Sequence, residues 1–479
     1  MRVLRNALAL LLVCNFLLSF PSIAEGLKGK WEGNIEIGTQ LVPVVFNITV
    51  SDNQLKATMD SPMQGAKDIP IESVSVSGNQ VVFDIAVAGA RYESIKEGGS
   101  LVGTWKQSGQ LLALTMTKQS NQATTTKASQ PVKKLYRPQE PTPPFDYVSK
   151  EVSFLNSKDG IELSGTLTLP KKPIAAVILV SGSGPQDRNQ LFMGHKTFWV
   201  LADFLSSNSI AVLRFDDRGV GKSQGVFENS TSYDFSEDVS AGVDFLKSVP
   251  ELNGNIFGII GHSEGGLIAP VTANNNANVD FIVLMAGPSQ SGQFVSENQM
   301  KKILLSNGLT QEAAKAGSEI TTELNKTVLE NTSTPYTELR AKLLAAYSKK
   351  WDSLSQDVKQ QIKRLGGGTL PEQRIKMLTG NWYKTFLTHK PSVYLANLDI
   401  PVLALFGEKD VQVSASEHYE LMQQTLKNGH QHSQSIILEG HNHLFQRSET
   451  GAMSEYQHIE ETLSPVLLEK IKTWIFAAK

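Results

Sequence analysis

The alternation of hydrophobic and polar positions along this 479-residue chain changes character twice. An apolar run over residues 7–20 follows Arg2 and Arg5. It is shorter than the ~20 residues a membrane-spanning helix needs. It closes on Pro21-Ser22-Ile23-Ala24, with small residues where a signal peptidase reads them. The pattern predicts a signal peptide over residues 1–24, cut after Ala24, and no membrane span once it is gone. From 25 to 118 the chain shows short β-branched runs, at 42–50, 74–76, 81–87 and 111–116, punctuated by Gly, Asn and Asp. Gly78-Asn79 between two of these runs is a hairpin signal. A small all-β barrel or sandwich with an accessory role is expected here. Trp31 and Trp105, each in a Gly-x-Trp segment, are expected to plug its core. Residues 119–146, polar and then proline-rich, predict a linker.

Past residue 147 the texture becomes that of an α/β protein. Near-continuous apolar runs at 175–180, 210–215, 256–260, 281–285, 402–406 and 436–438 predict strands covered on both faces, hence a mostly parallel sheet. Helical periodicity over 235–247 and 466–476 supplies covering helices, the second opening with Ser464 as cap and Pro465 in its first turn. One interval is too long for a crossover. Residues from about 290 to 395, rich in Lys, Glu, Ala and Leu, predict an inserted helical cap.

Composition narrows the class. Hydrophobic residues at 40% and charged residues at 19% describe an ordinary folded chain. A net charge of −2 leaves no basic footprint for nucleic acid. Cys14, the single cysteine, lies within the signal run, so an internal disulfide is excluded. The remainder, free of thiols, suits an oxidising compartment, periplasmic or extracellular.

The chemistry centres on Gly261-His262-Ser263-Glu264-Gly265, which follows an apolar strand and leads into a helix. A Gly-x-Ser-x-Gly in that setting forces a sharp strand-to-helix turn, and the serine hydroxyl projects from the carboxyl edge of the sheet. Ser263 is the expected nucleophile. A hydroxyl needs a base, and the base needs a carboxylate to orient it. In this topology the chain order is Ser, acid, His. The loop after the 402–406 strand carries Glu408 and Asp410; Asp410 is the expected acid, Glu408 the alternative. After the last strand come His441 and His443; His443 is the expected base, with apolar Leu444-Phe445 to pin its backbone, and His441 is its rival. Two amides must meet the oxyanion. One is that of Glu264, and the other is assigned to Ser183 in the glycine-rich Ser181-Gly182-Ser183-Gly184-Pro185. Asp187 and Arg188 are expected to form an ion pair holding that loop. Gly219-Val220-Gly221-Lys222-Ser223 imitates a phosphate loop but has Asp216 where glycine is required, so a structural turn is expected. His430-x-His432 and His441-x-His443 lack acidic or thiol partners at ligand spacing, so no metal is expected. His262 is expected to pack beneath the serine turn.

Taken in order, Arg137-Pro138-Gln139-Glu140-Pro141, residues 181–188, Asp217-Arg218-Gly219-Val220-Gly221-Lys222-Ser223, the serine motif, Gly407-Glu408-Lys409-Asp410-Val411-Gln412-Val413 and Asn442-His443-Leu444-Phe445-Gln446 make a recognisable series. The chain from about Arg137 onward resembles the bacterial α/β-hydrolase carboxylesterases related to dienelactone hydrolases and serine aminopeptidases. The resemblance implies a Ser263–Asp410–His443 triad, short acyl esters as small-molecule substrates and no cofactor. A peptidase or other amide hydrolase, an acyltransferase, and a ligand-binding module using the barrel are the alternatives; the sequence specifies no oligomeric state.

Overall fold

The computed structural model describes residues 26–37, 40–51, 54–61, 66–85, 89–107, 110–119, 137–365 and 367–478. The expected signal peptide and most of the expected linker lie outside these residues. The chain divides into two compact units, Met1–Pro131 and Val132–Lys479.

Among the described residues, nine strands form the first unit: β1 (Gly29–Ile37), β2 (Gln40–Ser51), β3 (Gln54–Ser61), β4 (Ala66–Ile71), β5 (Ser73–Ser77), β6 (Gln80–Ile85), β7 (Ala90–Glu97), β8 (Ser100–Gln107) and β9 (Gln110–Lys118). Their order, β4-β3-β2-β1-β9-β8-β7-β6-β5, is an antiparallel meander that curls into a nearly closed barrel. Gly78-Asn79 makes the β5–β6 turn, with Ser77 opposite Gln80. Alternate side chains point inward, and the register sets large rings side by side: Trp31 faces Phe46, and Tyr92 faces both Phe83 and Trp105. Trp31 and Trp105 are fully buried, as the sequence predicts. Gly103 has no room for a side chain, because a Cβ would lie 2.0 Å from the Glu93 carbonyl oxygen. Close approach of neighbouring backbones at glycine is how a sheet bends into a barrel. Strands β1, β3, β4, β7 and β8 carry mainly polar residues on their outer faces, with Ile95 and Val102 exposed among them, and so lack β-branched runs.

The second unit holds an eight-stranded sheet: β10 (Tyr147–Asn156), β11 (Ile161–Pro170), β12 (Ala175–Val180), β15 (Ile210–Phe215), β16 (Ile256–His262), β17 (Phe281–Met285), β18 (Val402–Gly407) and β19 (Gln434–Leu438). A two-residue ladder, β13 (Leu191–Phe192) with β14 (His195–Lys196), stands apart. The order is β10-β11-β15-β12-β16-β17-β18-β19. The hairpin β10–β11 is antiparallel and pairs antiparallel with β15; from β15 onward every pairing is parallel. The six predicted strands are these six parallel ones. The antiparallel hairpin has no apolar-run signal in β10, which exposes most of one face.

Helices Thr197–Ser207, Ser232–Ser248, Gly265–Asn275, Ala415–Leu426 and Pro465–Ala478 flank the sheet. Thr231 and Asp234 form a capping box at the start of the second. The Val466 amide donates to Ser464 Oγ at 3.2 Å, the cap predicted for the last. Between β17 and β18, seven helices from Gly292–Ser306 to Pro391–Leu395 form the cap. Its own core, including Leu324, Leu343 and Ile375, also takes in Leu267 from the helix after the serine turn. The cap is thereby packed onto that helix. Because the parallel strands share one direction, the loops following β12, β15, β16, β18 and β19 all open at one sheet edge, where α/β folds place their sites.

Candidate active site

The serine turn is the most constrained backbone of that edge. Ser263 has φ 55°, a left-handed conformation that is costly for a residue with a Cβ. The turn persists because its surroundings hold it. The Ser263 amide donates to the Met285 carbonyl on β17 at 2.9 Å, and its own carbonyl accepts from Gly266 at 2.9 Å. Glycine is obligatory on both sides: a Cβ at Gly261 would lie 2.1 Å from the Gly265 oxygen, and one at Gly265 2.2 Å from the Val180 oxygen. Glu264 then occupies the N-cap position of helix Gly265–Asn275, where main-chain N–H groups have no intrahelical partner. Gly182, in the loop after β12, lies against the serine, with a Cβ built there 3.2 Å from Ser263 Cβ. Ser183 follows it and is exposed.

Asp410 and His443 meet directly. His443 Nδ1 stands 2.8 Å from Asp410 Oδ2, with both side chains buried. Asp410 Oδ1 accepts from the amides of Gln412 and Val413 at 2.7 and 2.9 Å. Burial pushes the Asp410 carboxyl up, but His443 and those two amides outweigh it and hold its pKa below the usual carboxylate range. The carboxylate therefore accepts from Nδ1–H, which leaves the His443 Nε2 lone pair free to act as a base. A glycine at the end of β18 allows the approach: a Cβ at Gly407 would lie 2.4 Å from the His441 carbonyl. Asn442 shapes the loop, its Oδ1 accepting from the amides of Leu444 and Gln446 at 3.0 Å each.

His262 links this pair to the serine turn. It directly precedes Ser263, and its ring centroid is 4.8 Å from that of His443. Its Nε2–H donates to the His443 carbonyl at 2.9 Å, and its Nδ1 accepts from Gln190 Nε2 at 2.6 Å. Burial pushes its pKa down to about 3, so it is a neutral strut beneath the turn. The expected rivals stand elsewhere. Glu408 is exposed and accepts from the Gly440 amide at 2.8 Å; His441 bonds through Nδ1 to the Glu439 carbonyl.

One expectation needs correction. Asp187 does not pair with Arg188. Arg188 bonds Asp216 through Nε and Nη2 and reaches Glu151 through Nη1, whereas Asp187 Oδ1 accepts from the amides of Asn189 and Leu191. Asp216 wins the guanidinium because it is nearly buried and must be neutralised there. The imitation phosphate loop is a structural turn, with Ser223 Oγ donating to the Asp216 carbonyl. Among the described residues no group of three or more His, Cys, Asp or Glu side chains could hold a metal ion. No described helix is long and apolar enough to cross a membrane.

Sequence reasoning missed the support of Glu264. Its buried carboxylate accepts from Ser232 Oγ and from Trp382 Nε1 of the cap, each at 2.7 Å. No motif announces Trp382, since it is one aromatic among several in the cap. Gln190 and Asn442 have clearer signals, lying within or beside the motifs that carry the resemblance.

A mostly parallel sheet with helices on both faces, a strained serine turn after a central strand and an inserted cap define an α/β-hydrolase fold. Residues 193–446 match the model of the serine aminopeptidase S33 family, and the chain belongs to that family. Esterase EstD of Thermotoga maritima is 26% identical over 302 residues, 62% of this chain and 62% of that protein. The chain thus spans less than two thirds of that relative's length. Similar solved structures include the Pyrococcus furiosus esterase Pf2001, with 16% identity, 69% of this chain and 93% of that one covered, and a TM-score of 0.39. Another is Est1E of Butyrivibrio proteoclasticus with ferulic acid bound, with 16% identity, 68% and 99% covered, and a TM-score of 0.40.

Proposed function

We propose that the protein is an exported serine hydrolase that cleaves small acyl esters by way of an acyl-enzyme. The observation that carries this reading is the buried Asp410–His443 pair at 2.8 Å, in contact through His443 with His262, the residue directly before a serine held at φ 55°. His443 Nε2 takes the Ser263 hydroxyl proton as Oγ bonds to the ester carbonyl carbon. The carbonyl oxygen becomes an oxyanion facing the amides of Glu264 and Ser183, with the helix N-terminus behind it. Collapse breaks the bond to the alcohol oxygen, which leaves with the proton from His443. Water then repeats the sequence on the acyl-enzyme, giving up its proton to His443 and releasing the acid and free Ser263. Asp410 fixes the imidazole tautomer and stabilises its cation throughout.

Hydrolysis of p-nitrophenyl esters graded by acyl length tests the proposal. Ser263→Ala should lower kcat by at least about 10⁴-fold. Turnover unchanged in that variant would remove Ser263 as nucleophile. The family's name favours a second reading, an amide hydrolase with the same three residues. Faster turnover of an amino-acid arylamide than of the best ester would select it. Export is read from the apolar run over residues 7–20 and its small-residue end; a mature protein beginning at Glu25 in the periplasm or medium would support it, and an intact terminus in the cytoplasm would refute it.

A further inference from the structure

The steps above use neither end of the loop between β12 and β13, yet one buried carboxylate ties both. Ser181 Oγ lies 3.1 and 3.2 Å from the two oxygens of Asp217, and the Gln186 amide donates to Oδ2 at 2.9 Å. The Asp217 amide returns the bond, donating to the Gln186 carbonyl at 3.1 Å. Gly182, Ser183 and Gly184 hang between these ties, and it is Gly182 that lies against Ser263. Glycine-flanked backbone has many conformations of its own, so the ties must supply the order.

On the serine-hydrolase reading, we propose that Asp217 is a positioning residue that holds the oxyanion-binding loop against Ser263, and that it does so in its ionised state. Both of its partners are donors, an O–H and an N–H, which a carboxylate accepts without rearrangement. Protonation on Oδ1 would turn the Ser181 bond round, Asp217 then donating to Ser181 Oγ, and would strip both ties of the charge that strengthens them.

The charges facing this group are Glu264, at the serine turn, and Asp238, on helix Ser232–Ser248. Arg218 does not neutralise it, being bidentate on Asp238 at 2.7 and 2.8 Å. Arg188 is likewise engaged by Asp216. Burial, with the Glu264 and Asp238 charges adding to it, pushes the Asp217 carboxyl up to about 7 against the pull of the Gln186 amide and Ser181. Asp217, Glu264 and Ser181 also wall a cavity of about 20 Å³, room for about one water molecule that could solvate the charge. Loop order should therefore fall as pH drops through neutrality, alongside the separate requirement that His443 be neutral.

The experiment compares full-length wild type, Asp217→Asn, Ser181→Ala and Ser263→Ala. Loss of an entire oxyanion donor costs about 10²–10³-fold in kcat, and loosening one should cost less, about 10–100-fold in Asp217→Asn. KM should stay within about twofold, and affinity for an arylboronic acid that mimics the tetrahedral adduct should fall with kcat. The acid limb of kcat/KM should be steeper than one ionisation in wild type and reduce to one in Asp217→Asn. Ser181→Ala should lose about 3–10-fold and keep the wild-type slope, a smaller loss expected from one neutral hydrogen bond. Wild-type kcat in Asp217→Asn, or lowered kcat with an unchanged pH profile, would overturn the proposal. If Asp217→Asn does not fold, a Ser181→Ala variant indistinguishable from wild type would overturn it. Full activity in Ser263→Ala would instead sink the underlying serine-hydrolase reading.

Discussion

The interior of the barrel holds Trp31, Phe46, Phe83, Tyr92 and Trp105, and its buried polar side chains among the described residues are Ser61 and Ser94. The C-terminal unit buries Arg214, Arg218, Asp238, His262, Asp410 and His443 as well as a large apolar core. Burying charge costs free energy unless it is paired and hydrogen-bonded. A chain that tolerates this cost in one unit and avoids it in the other has placed its chemistry in the first. The contrast also bears on the barrel. Inside it, Phe46, Phe83 and Tyr92 pack at 4.8–6.0 Å centroid spacing, the contacts of an apolar core.

The largest test of this contrast is Asp410→Asn. The amide can turn its NH₂ toward His443 Nδ1 and select the wrong tautomer, so kcat should fall by about 10⁴-fold with the fold intact. A loss below about tenfold in ester hydrolysis would move the acid elsewhere, and Glu408 would be the next carboxylate to replace. On the other side of the comparison, Phe46→Ala should cost the barrel about 3–5 kcal/mol, read as a lowered thermal transition. Ester kcat should stay within about twofold in the same variant. A proportional loss of turnover would show that the barrel contributes to the chemistry.

Much of this was legible in sequence for physical reasons. Strands buried on both faces must be apolar throughout, and β12, β15, β16, β17 and β18 announced themselves that way; β19, at the sheet edge, has its apolar Ile436-Ile437-Leu438 but leaves Ile437 exposed, so, against expectation, it is not covered on both faces. Ser263 was legible because Gly261 and Gly265 mark a turn too close to neighbouring backbone for a side chain on either side of it. The choice of His443 over His441 and of Asp410 over Glu408 rested on loop position, and the structure brings that pair into contact. The partner of Arg188 was illegible, since adjacency to Asp187 carries no information about a residue 28 positions away across the sheet. Half-exposed strands such as β3 and β7 lacked apolar runs, and Trp382 lacked any local pattern that separates a cap core ring from one bonded to the site.

Trp382→Phe sharpens the link between the two layers of the C-terminal unit. It keeps an aromatic ring stacked on Phe386 at 5.3 Å but removes the N–H that Glu264 accepts. A hydrogen bond to a buried charged group contributes about 1.5–3 kcal/mol. With Ser232 Oγ as the remaining donor, the Glu264 turn should loosen, and kcat/KM for short esters should fall by about tenfold. Unchanged kcat/KM would show that the cap seats itself without guiding the turn.

The smallest effect separates the units by acid. All nine histidines lie beyond the barrel. Burial pushes His195, His389 and His418 down to about 4 and His262 to about 3, so each is neutral in the folded state and must gain a proton to match the unfolded one. Between those values and the unfolded value of about 6.5 the unfolded chain binds more protons, so stability rises with pH and is lost as pH falls. Asp217 acts in the opposite sense: raised to about 7, it favours the folded state at lower pH and loses that contribution as pH rises from the ordinary carboxylate range. Burial raises Asp238 in the same sense as Asp217, but four imidazoles outweigh two carboxyls, and Asp410, held low by His443, adds to the acid loss. Among the described barrel residues, Glu93 is the carboxylate with a lowered pKa; it is held down by Lys106 on an exposed face, where screening keeps its effect small. Scanning calorimetry from pH 7 to 4 should therefore lower the transition of the C-terminal unit by more than that of the barrel. The Phe46→Ala variant identifies which transition is which. Equal shifts in both would mean that buried neutral histidine is not the source of the acid sensitivity.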